Sequence, residues 1–169
     1  PPNWTIERFQ LPVGFAPEVN YKGVEDIRFS PGWAKVNSDE YWTYAFLWYI
    51  DNAPSITAQS LRKDLKNYYT GLINANENPN KPLTSKPLAV NTAFKKIKTH
   101  TGDKETYTGT IKMTDYMSGK LITLNCRAHV KKCPQSEKLF VFFQLSPQAF
   151  TNKAWIGLNN LWLNFKCQD

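Results

Sequence analysis

The alternation of apolar and polar positions along this chain predicts seven strands and two helices. Strand-like runs occupy residues 4–10, 24–29, 42–50, 94–99, 106–114, 120–130 and 138–146. Turn-forming residues separate the last four runs, so residues 90–146 are predicted to form an antiparallel meander. One helix is expected between the third and fourth strands, and the other closes the chain.

The densest apolar run is Tyr41–Ile50, in which six of ten residues are aromatic. Both sets of alternating positions are largely apolar, so a strand here is expected to be covered on both faces and to lie centrally in a sheet. Residues 138–146 share this property. The parity that contains Trp42, Phe46 and Trp48 is interpreted as core, in preference to an exposed platform for sugars or bases.

The two helices follow from apolar spacing. Residues 58, 61, 65, 68 and 72 fall on one helical face, with Ser55 or Thr57 as the cap and an end between residues 71 and 75. Asn152 is the expected cap of the closing helix, whose bulky apolar stripe can lie flat on a sheet. The prediction is a single α+β domain over residues 1–169, an antiparallel sheet sandwich with a mid-chain helix and a C-terminal helix.

This order of elements resembles the fold shared by the PsbP subunit of photosystem II and the Ran-binding Mog protein. The matching parts are the opening strand with its loop Phe9-Gln-Leu-Pro12, the helix 57–73, the meander, and the closing strand and helix at Phe140–Ser146 and Asn152–Phe165. Members of this fold act mainly by binding other proteins, and many bacterial members have no known role. The resemblance therefore implies a PsbP/Mog-like binding protein.

The formal net charge of +7 is concentrated in the middle of the chain. Residues 51–138 carry fifteen Lys and Arg against seven Asp and Glu, whereas residues 1–50 carry four against six. A basic surface can attract nucleic acid, anionic lipid or an acidic partner. The excess is mostly scattered lysine, which is typical of a solvated surface, and the sequence has no clear nucleic-acid signature.

The chain begins with Pro1-Pro2-Asn3-Trp4 and has no initiator methionine. Either a leader has been removed or the chain has been shortened. Together with the richness in Trp and Tyr and the odd number of cysteines, this favours an exported protein, periplasmic or secreted. No apolar stretch is long enough to span a bilayer.

Three cysteines leave at least one thiol unpaired or paired outside the chain. Cys126 shares its parity with the apolar positions of strand 120–130 and is predicted to be a free core thiol. Cys133 and Cys167 are the expected pair if a disulfide forms. No cysteine or histidine has the spacing of a metal site, and we predict no metal or cofactor.

The strand 120–130 has one polar face, on which Thr123, Asn125, Arg127 and His129 point the same way. With Asp115 nearby, His129 could perform acid–base chemistry. The alternative is a strand surface that faces solvent or is partly covered by a helix. His100 is interpreted as an ordinary turn residue.

The chain lacks a nucleophile elbow, a phosphate-binding glycine loop and an HExxH motif. This favours a non-catalytic, exported bacterial protein that binds a protein or cell-envelope partner. The expected contact surfaces are the loops 11–23 and 30–40, with Trp33 exposed, and the helix face that carries Arg62, Lys63 and Lys66. The rival hypothesis is a small enzyme or small-ligand binder that uses Arg127, His129 and Asp115.

Overall fold

A computed structural model describes residues 3–52, 54–77, 88–132 and 137–166 of the protein. These residues form seven strands and two helices in the predicted order. In chain order the elements are β1 (Thr5–Leu11), β2 (Gly23–Phe29), β3 (Tyr44–Ile50), α1 (Ala58–Ala75), β4 (Asn91–Ile97), β5 (Glu105–Thr114), β6 (Leu121–Lys132), β7 (Leu139–Ser146) and α2 (Ala154–Leu163).

All seven strands belong to one antiparallel sheet with the order β1-β2-β3-β7-β6-β5-β4. Two meanders, β1–β3 and β4–β7, are joined where β3 pairs with β7, with Phe46 opposite Phe143. The predicted meander is confirmed, and so is the mixed α+β class. The sequence predicted an antiparallel sheet sandwich. The described residues instead form a single sheet that carries one helix on each face.

The larger core lies between the sheet and α1. Strand β3 contributes Tyr44, Phe46, Trp48 and Ile50 to this face, and α1 contributes Leu61, Leu65, Tyr68 and Tyr69. Phe46 stacks on Phe143 at 4.5 Å between ring centroids and on Tyr68 at 5.3 Å. Cys126 is buried in the same core as a free thiol, as predicted. The opposite parity of β3 faces α2 in a smaller cluster that contains Ala45, Phe142, Trp155, Leu158 and Trp162.

The start of α1 agrees with Thr57 as a predicted cap, whereas Lys153, and not the expected Asn152, occupies the cap position of α2. Thr57 accepts a hydrogen bond from the backbone N–H of Ser60, and the Ser60 hydroxyl accepts one from Thr57 N–H, so the two form a capping box. Asn152 Oδ1 accepts from Ala154 N–H at 2.9 Å at the start of α2. Within the described residues, neither helix is long and apolar enough to cross a membrane.

The third strand is shorter than predicted. Trp42 is buried as expected, but its φ of 53° lies in the left-handed region, and the strand begins only at Tyr44. Trp42 packs edge-on against Trp33 and Tyr116. The proposed pair Cys133 and Cys167 lies outside the described residues.

Residues 12–22 form a loop that covers α1. Val13, Ala16 and Val19 are buried there, and the carbonyl oxygen of Phe15 lies beside Gly71. A Cβ atom added at Gly71 would come within 1.8 Å of that oxygen. The absence of a side chain at residue 71 therefore lets the loop backbone contact the helix.

Gly71→Ala is expected to destabilise the protein by roughly 1–3 kcal/mol, because the loop has to move away from the helix. Intrinsic helix propensity predicts the opposite sign, a gain of about 1 kcal/mol. Denaturant unfolding measures the difference, with Lys66→Ala on the exposed face of α1 as the control. A stabilised Gly71→Ala variant would show that the loop does not press on the helix.

The core beneath α1 contains the fully buried carboxyl group of Glu25 on β2. Its Oε1 accepts from the indole N–H of Trp48 at 2.8 Å, and Oε2 has no donor among the described residues. Burial raises the pKa of Glu25 from its ordinary value to about 7, although the bond from Trp48 acts in the opposite direction.

The raised pKa of Glu25 predicts a pH-dependent stability. Because the folded pKa of about 7 exceeds the ordinary value, the folded chain keeps a proton that the unfolded chain releases. The free energy of unfolding should therefore fall by about 3 kcal/mol as pH rises from about 4.5 to about 7.

Glu25→Gln removes this titration and keeps an acceptor for Trp48. As pH rises from about 4.5 to about 7, the free energy of unfolding of the variant should therefore increase relative to that of the natural protein. Urea unfolding of both proteins at a series of pH values measures this difference. A difference that stays constant with pH would contradict the assignment.

Candidate functional site

A wide groove lies on the α2 face of the sheet, because α2 leaves the β1–β2 side uncovered. Its volume is about 1420 Å³, and β1, β2, β3, β7 and the second half of α2 all contribute to its lining. The residues that line it on β2 and β3 have the parity that faces away from the α1 core. The groove is therefore the uncovered remainder of one sheet face.

Aromatic rings form part of the groove floor. Tyr49 stacks on Phe140 at 4.5 Å between centroids, and Phe140 contacts Phe165 at 5.2 Å. The ammonium group of Lys131 lies 5.5 Å from the Trp162 ring and 6.0 Å from that of Phe165. A continuous aromatic surface with a cation at its edge therefore follows the C-terminal end of α2.

On the β1–β2 side of the groove, across from α2, two arginines share one carboxylate. Arg8 Nε donates to Asp26 Oδ2 at 2.6 Å, and Arg28 Nε donates to Asp26 Oδ1 at 2.6 Å. The Arg8 side chain remains 68% exposed, whereas that of Asp26 is 17% exposed. Lys166 also lines the groove, so three cationic side chains are set against one anionic side chain.

The polar face of β6 lies on the same side of the sheet but does not line the groove. Asn125 Nδ2 donates to the carbonyl oxygen of Gln148 at 3.1 Å, and the Arg127 guanidinium lies 4.8 Å from the centre of the Phe150 ring. Thr123 is exposed near the start of the strand. Residues 147–153 therefore cover much of the predicted polar face.

His129 is buried beneath α2, where its ring stacks on Trp162 at 4.6 Å with an interplanar angle of 19°. His129 Nδ1 lies 2.7 Å from Asp103 Oδ2, and Nε2 lies 3.2 Å from Gln144 Oε1. Gln144 Nε2 donates to Asn159 Oδ1 on α2 at 3.2 Å. A chain of polar contacts therefore connects the sheet to the helix.

His100 approaches this cluster from the turn before β5, with its ring 5.2 Å from that of His129. Partial burial lowers the pKa of His100, and the neighbouring His129 and Arg127 act in the same direction, while Asp103 opposes them. The imidazole of His100 is therefore neutral at neutral pH. His100 lies in the predicted turn, and the structure also places it beside His129, which the sequence singled out.

The predicted pairing of His129 with Asp115 is wrong. Asp115 follows Thr114, which pairs with Leu121, whereas His129 pairs with Thr106 at the other end of β5. Eight residues of strand separate the two ends, about 26 Å. Asp115 instead accepts hydrogen bonds from the Tyr41 hydroxyl at 2.5 Å and from the Ser118 hydroxyl.

The other predicted contact residues have mixed surroundings. Trp33, which was expected to be exposed, is half-buried and packs on Phe29 at 4.3 Å between centroids. Arg62 donates to the carbonyl oxygen of Phe94 at 3.3 Å. Lys63 and Lys66 are exposed on α1, as their place off the apolar stripe predicts. These residues do not form a common site with His129.

Sequence reasoning missed Asp103, Gln144, Trp162 and the Arg8–Asp26–Arg28 group. The position of Asp103 in the turn next to Gly102, whose φ is 86°, is a usable signal, because this turn folds back beside β6. The pairing of β1 with β2 is the second signal, since it places Arg8 directly opposite Asp26. Either signal identifies these contacts only when it is known which residues of neighbouring strands pair.

Comparisons of this chain with protein-family models, with curated proteins and with solved structures found no match.

Trp162→Ala is expected to destabilise the protein by roughly 3–5 kcal/mol, because Trp162 packs on both His129 and Phe142. Its neighbour Leu163 is 76% exposed, so Leu163→Ala should leave stability within about 0.5 kcal/mol of the natural value. Denaturant unfolding measures both variants, and hydrogen exchange reports whether α2 is released. Equal effects of the two substitutions would contradict the described packing of α2.

Proposed function

We propose that this protein is a non-catalytic binding module, whose groove beside α2 holds an extended acidic segment of a protein partner. The observation that carries the proposal is the uncovered half of the α2 face, which is open, partly aromatic and bordered by cations. The proposal keeps the protein-partner hypothesis from the sequence and moves the contact surface from the loops 11–23 and 30–40 to the groove.

The size of the groove favours a polymer over a small molecule. Small-molecule sites usually enclose about 300–1,000 Å³ and bury most of their ligand. A volume of about 1420 Å³ that is open along one side suits a segment of chain laid across the sheet face. Tyr49, Phe140 and Phe165 offer apolar area for side chains of such a segment.

Charge and hydrogen-bonding groups favour an acidic peptide as the occupant. Arg8 and Arg28 keep N–H groups beyond those that bind Asp26, and guanidinium groups suit carboxylates. Asn160 and Asn164 are exposed where α2 lines the groove. Asn side chains offer both a donor and an acceptor, which matches the N–H and C=O of an extended backbone.

The rival hypothesis of a small enzyme has less support. Its acid–base pair does not form, because Asp115 lies at the far end of the sheet from His129. Arg127 stacks on Phe150 beneath the connection that leads to α2. The polar face of β6 supports the attachment of α2 to the sheet.

Two further parts of the proposal rest on the sequence. The order of strands and helices supports a PsbP/Mog-like fold, whose members act mainly by binding proteins. This analogy does not identify the partner of this protein. Export of the protein stays a prediction, as does the choice of a cell-envelope partner.

The test is a selection from a random peptide library displayed on phage. The natural protein should enrich peptides that are rich in Asp and Glu and contain apolar residues, and their affinity should fall as salt increases. A variant that combines Arg8→Ala with Lys166→Ala should bind the enriched peptides at least tenfold more weakly, because two groove cations are lost.

The matched control combines Lys63→Ala with Lys66→Ala, which removes the same charge from α1 on the opposite face of the sheet. This variant should bind the enriched peptides as the natural protein does. Failure to enrich any peptide, enrichment of basic peptides, or equal loss of binding in both variants would contradict the proposal. Circular dichroism and thermal unfolding establish that both variants are folded.

A further inference from the structure

Three side chains that can each ligate a metal meet at the end of the sheet near the start of β5. His100 and Asp103 come from the turn before β5, and His129 comes from β6. One ligand atom from each lies within 4.8 Å of the other two. Because Thr106 pairs with His129, the turn that precedes Thr106 is held against the histidine ring.

The hydrogen bonds around His129 leave a lone pair opposite a carboxylate. Since Gln144 Nε2 donates to Asn159, the Gln144 oxygen faces His129 and accepts from Nε2–H. In a neutral imidazole the other nitrogen, Nδ1, then carries the lone pair. It lies 2.7 Å from Asp103 Oδ2. Two acceptors at this distance require a positive species between them, either a proton or a metal cation.

The second oxygen of Asp103 is an independent indication of a ligand. The Asp103 side chain has no solvent exposure, yet none of the described residues donates to Oδ1. Oδ2 is already occupied by the Thr106 hydroxyl at 2.5 Å. A buried carboxylate oxygen without a donor costs free energy, and a bound cation would remove that cost.

We propose that His100, Asp103 and His129 bind one divalent transition-metal cation of the zinc class. Two imidazoles and one carboxylate are ligands that suit Zn²⁺, and they leave a fourth position for water. Ligand atoms around tetrahedral zinc lie about 3.4 Å apart. His129 Nδ1 and Asp103 Oδ2, now 2.7 Å apart, therefore have to separate slightly, whereas His100 has to approach them. His100 lies in a turn and is partly exposed, so it can move toward the cation and gives the cation an entry path.

The site also has a charge that opposes the cation. Arg127 precedes His129 by two residues on the same face of β6, and its Nε is buried without an acceptor among the described residues. A fixed positive charge beside the site weakens cation binding. We therefore expect moderate affinity in the natural protein and tighter binding in Arg127→Gln.

The experiment uses the full chain after treatment with a chelator. Titration with Co²⁺ should give the visible absorption of a tetrahedral complex that saturates at one equivalent, and Zn²⁺ should displace the Co²⁺ and raise the melting temperature. His100→Ala and Asp103→Asn should each weaken Zn²⁺ binding at least tenfold. His100→Ala leaves the Asp103–His129 contact in place, so it should fold even if Asp103→Asn does not.

Two controls separate this site from other ligands. Lys104→Ala alters the same turn without removing a ligand and should bind Zn²⁺ as the natural protein does. Cys133→Ser combined with Cys167→Ser removes thiols that lie outside the described residues and should also bind normally. The proposal is wrong if the natural protein binds neither metal, if His100→Ala binds as tightly as the natural protein, or if the serine variant loses binding.

Discussion

The pairing of β3 with β7 is the interaction on which the rest of the structure depends. It joins a three-stranded and a four-stranded meander into one sheet, and both strands are largely apolar on both faces. A strand of this kind is stable only when each face is covered. The position of one helix on each side of the sheet follows from this requirement, since Phe46 and its parity need α1 whereas Ala45 and Leu47 need α2.

The two helices cover their faces unequally, and the groove results from this difference. An α2 of ten residues is about 15 Å long and about 10 Å wide, whereas seven strands span about 29 Å. It therefore covers the centre of its face and leaves β1 and β2 open. On the other face, the 18 residues of α1 are supplemented by the loop 12–22, which buries Val13, Ala16 and Val19.

Each layer also contains a buried charged or titratable group, and the two are accommodated differently. Glu25 beneath α1 accepts a hydrogen bond from Trp48, and its pKa rises to about 7 because the charged form is poorly solvated there. Beneath α2, His129 contacts both Asp103 and Gln144, and Gln144 connects onward to Asn159 on the helix. The first group costs stability when it ionises, whereas the second helps to attach α2 to the sheet.

The sequence alone determined the order of the elements, the central position of the third strand, the start of α1 to within a choice of Ser55 or Thr57 as its cap, and the core thiol Cys126. These features depend on local periodicity and on capping chemistry, which are readable from neighbouring residues. Only the tertiary structure decided that His129 meets Asp103 and His100, that Asp115 meets Tyr41, and that Arg8 and Arg28 share Asp26. These contacts depend on strand register and on which face each helix covers, and both are set by residues far apart in the chain.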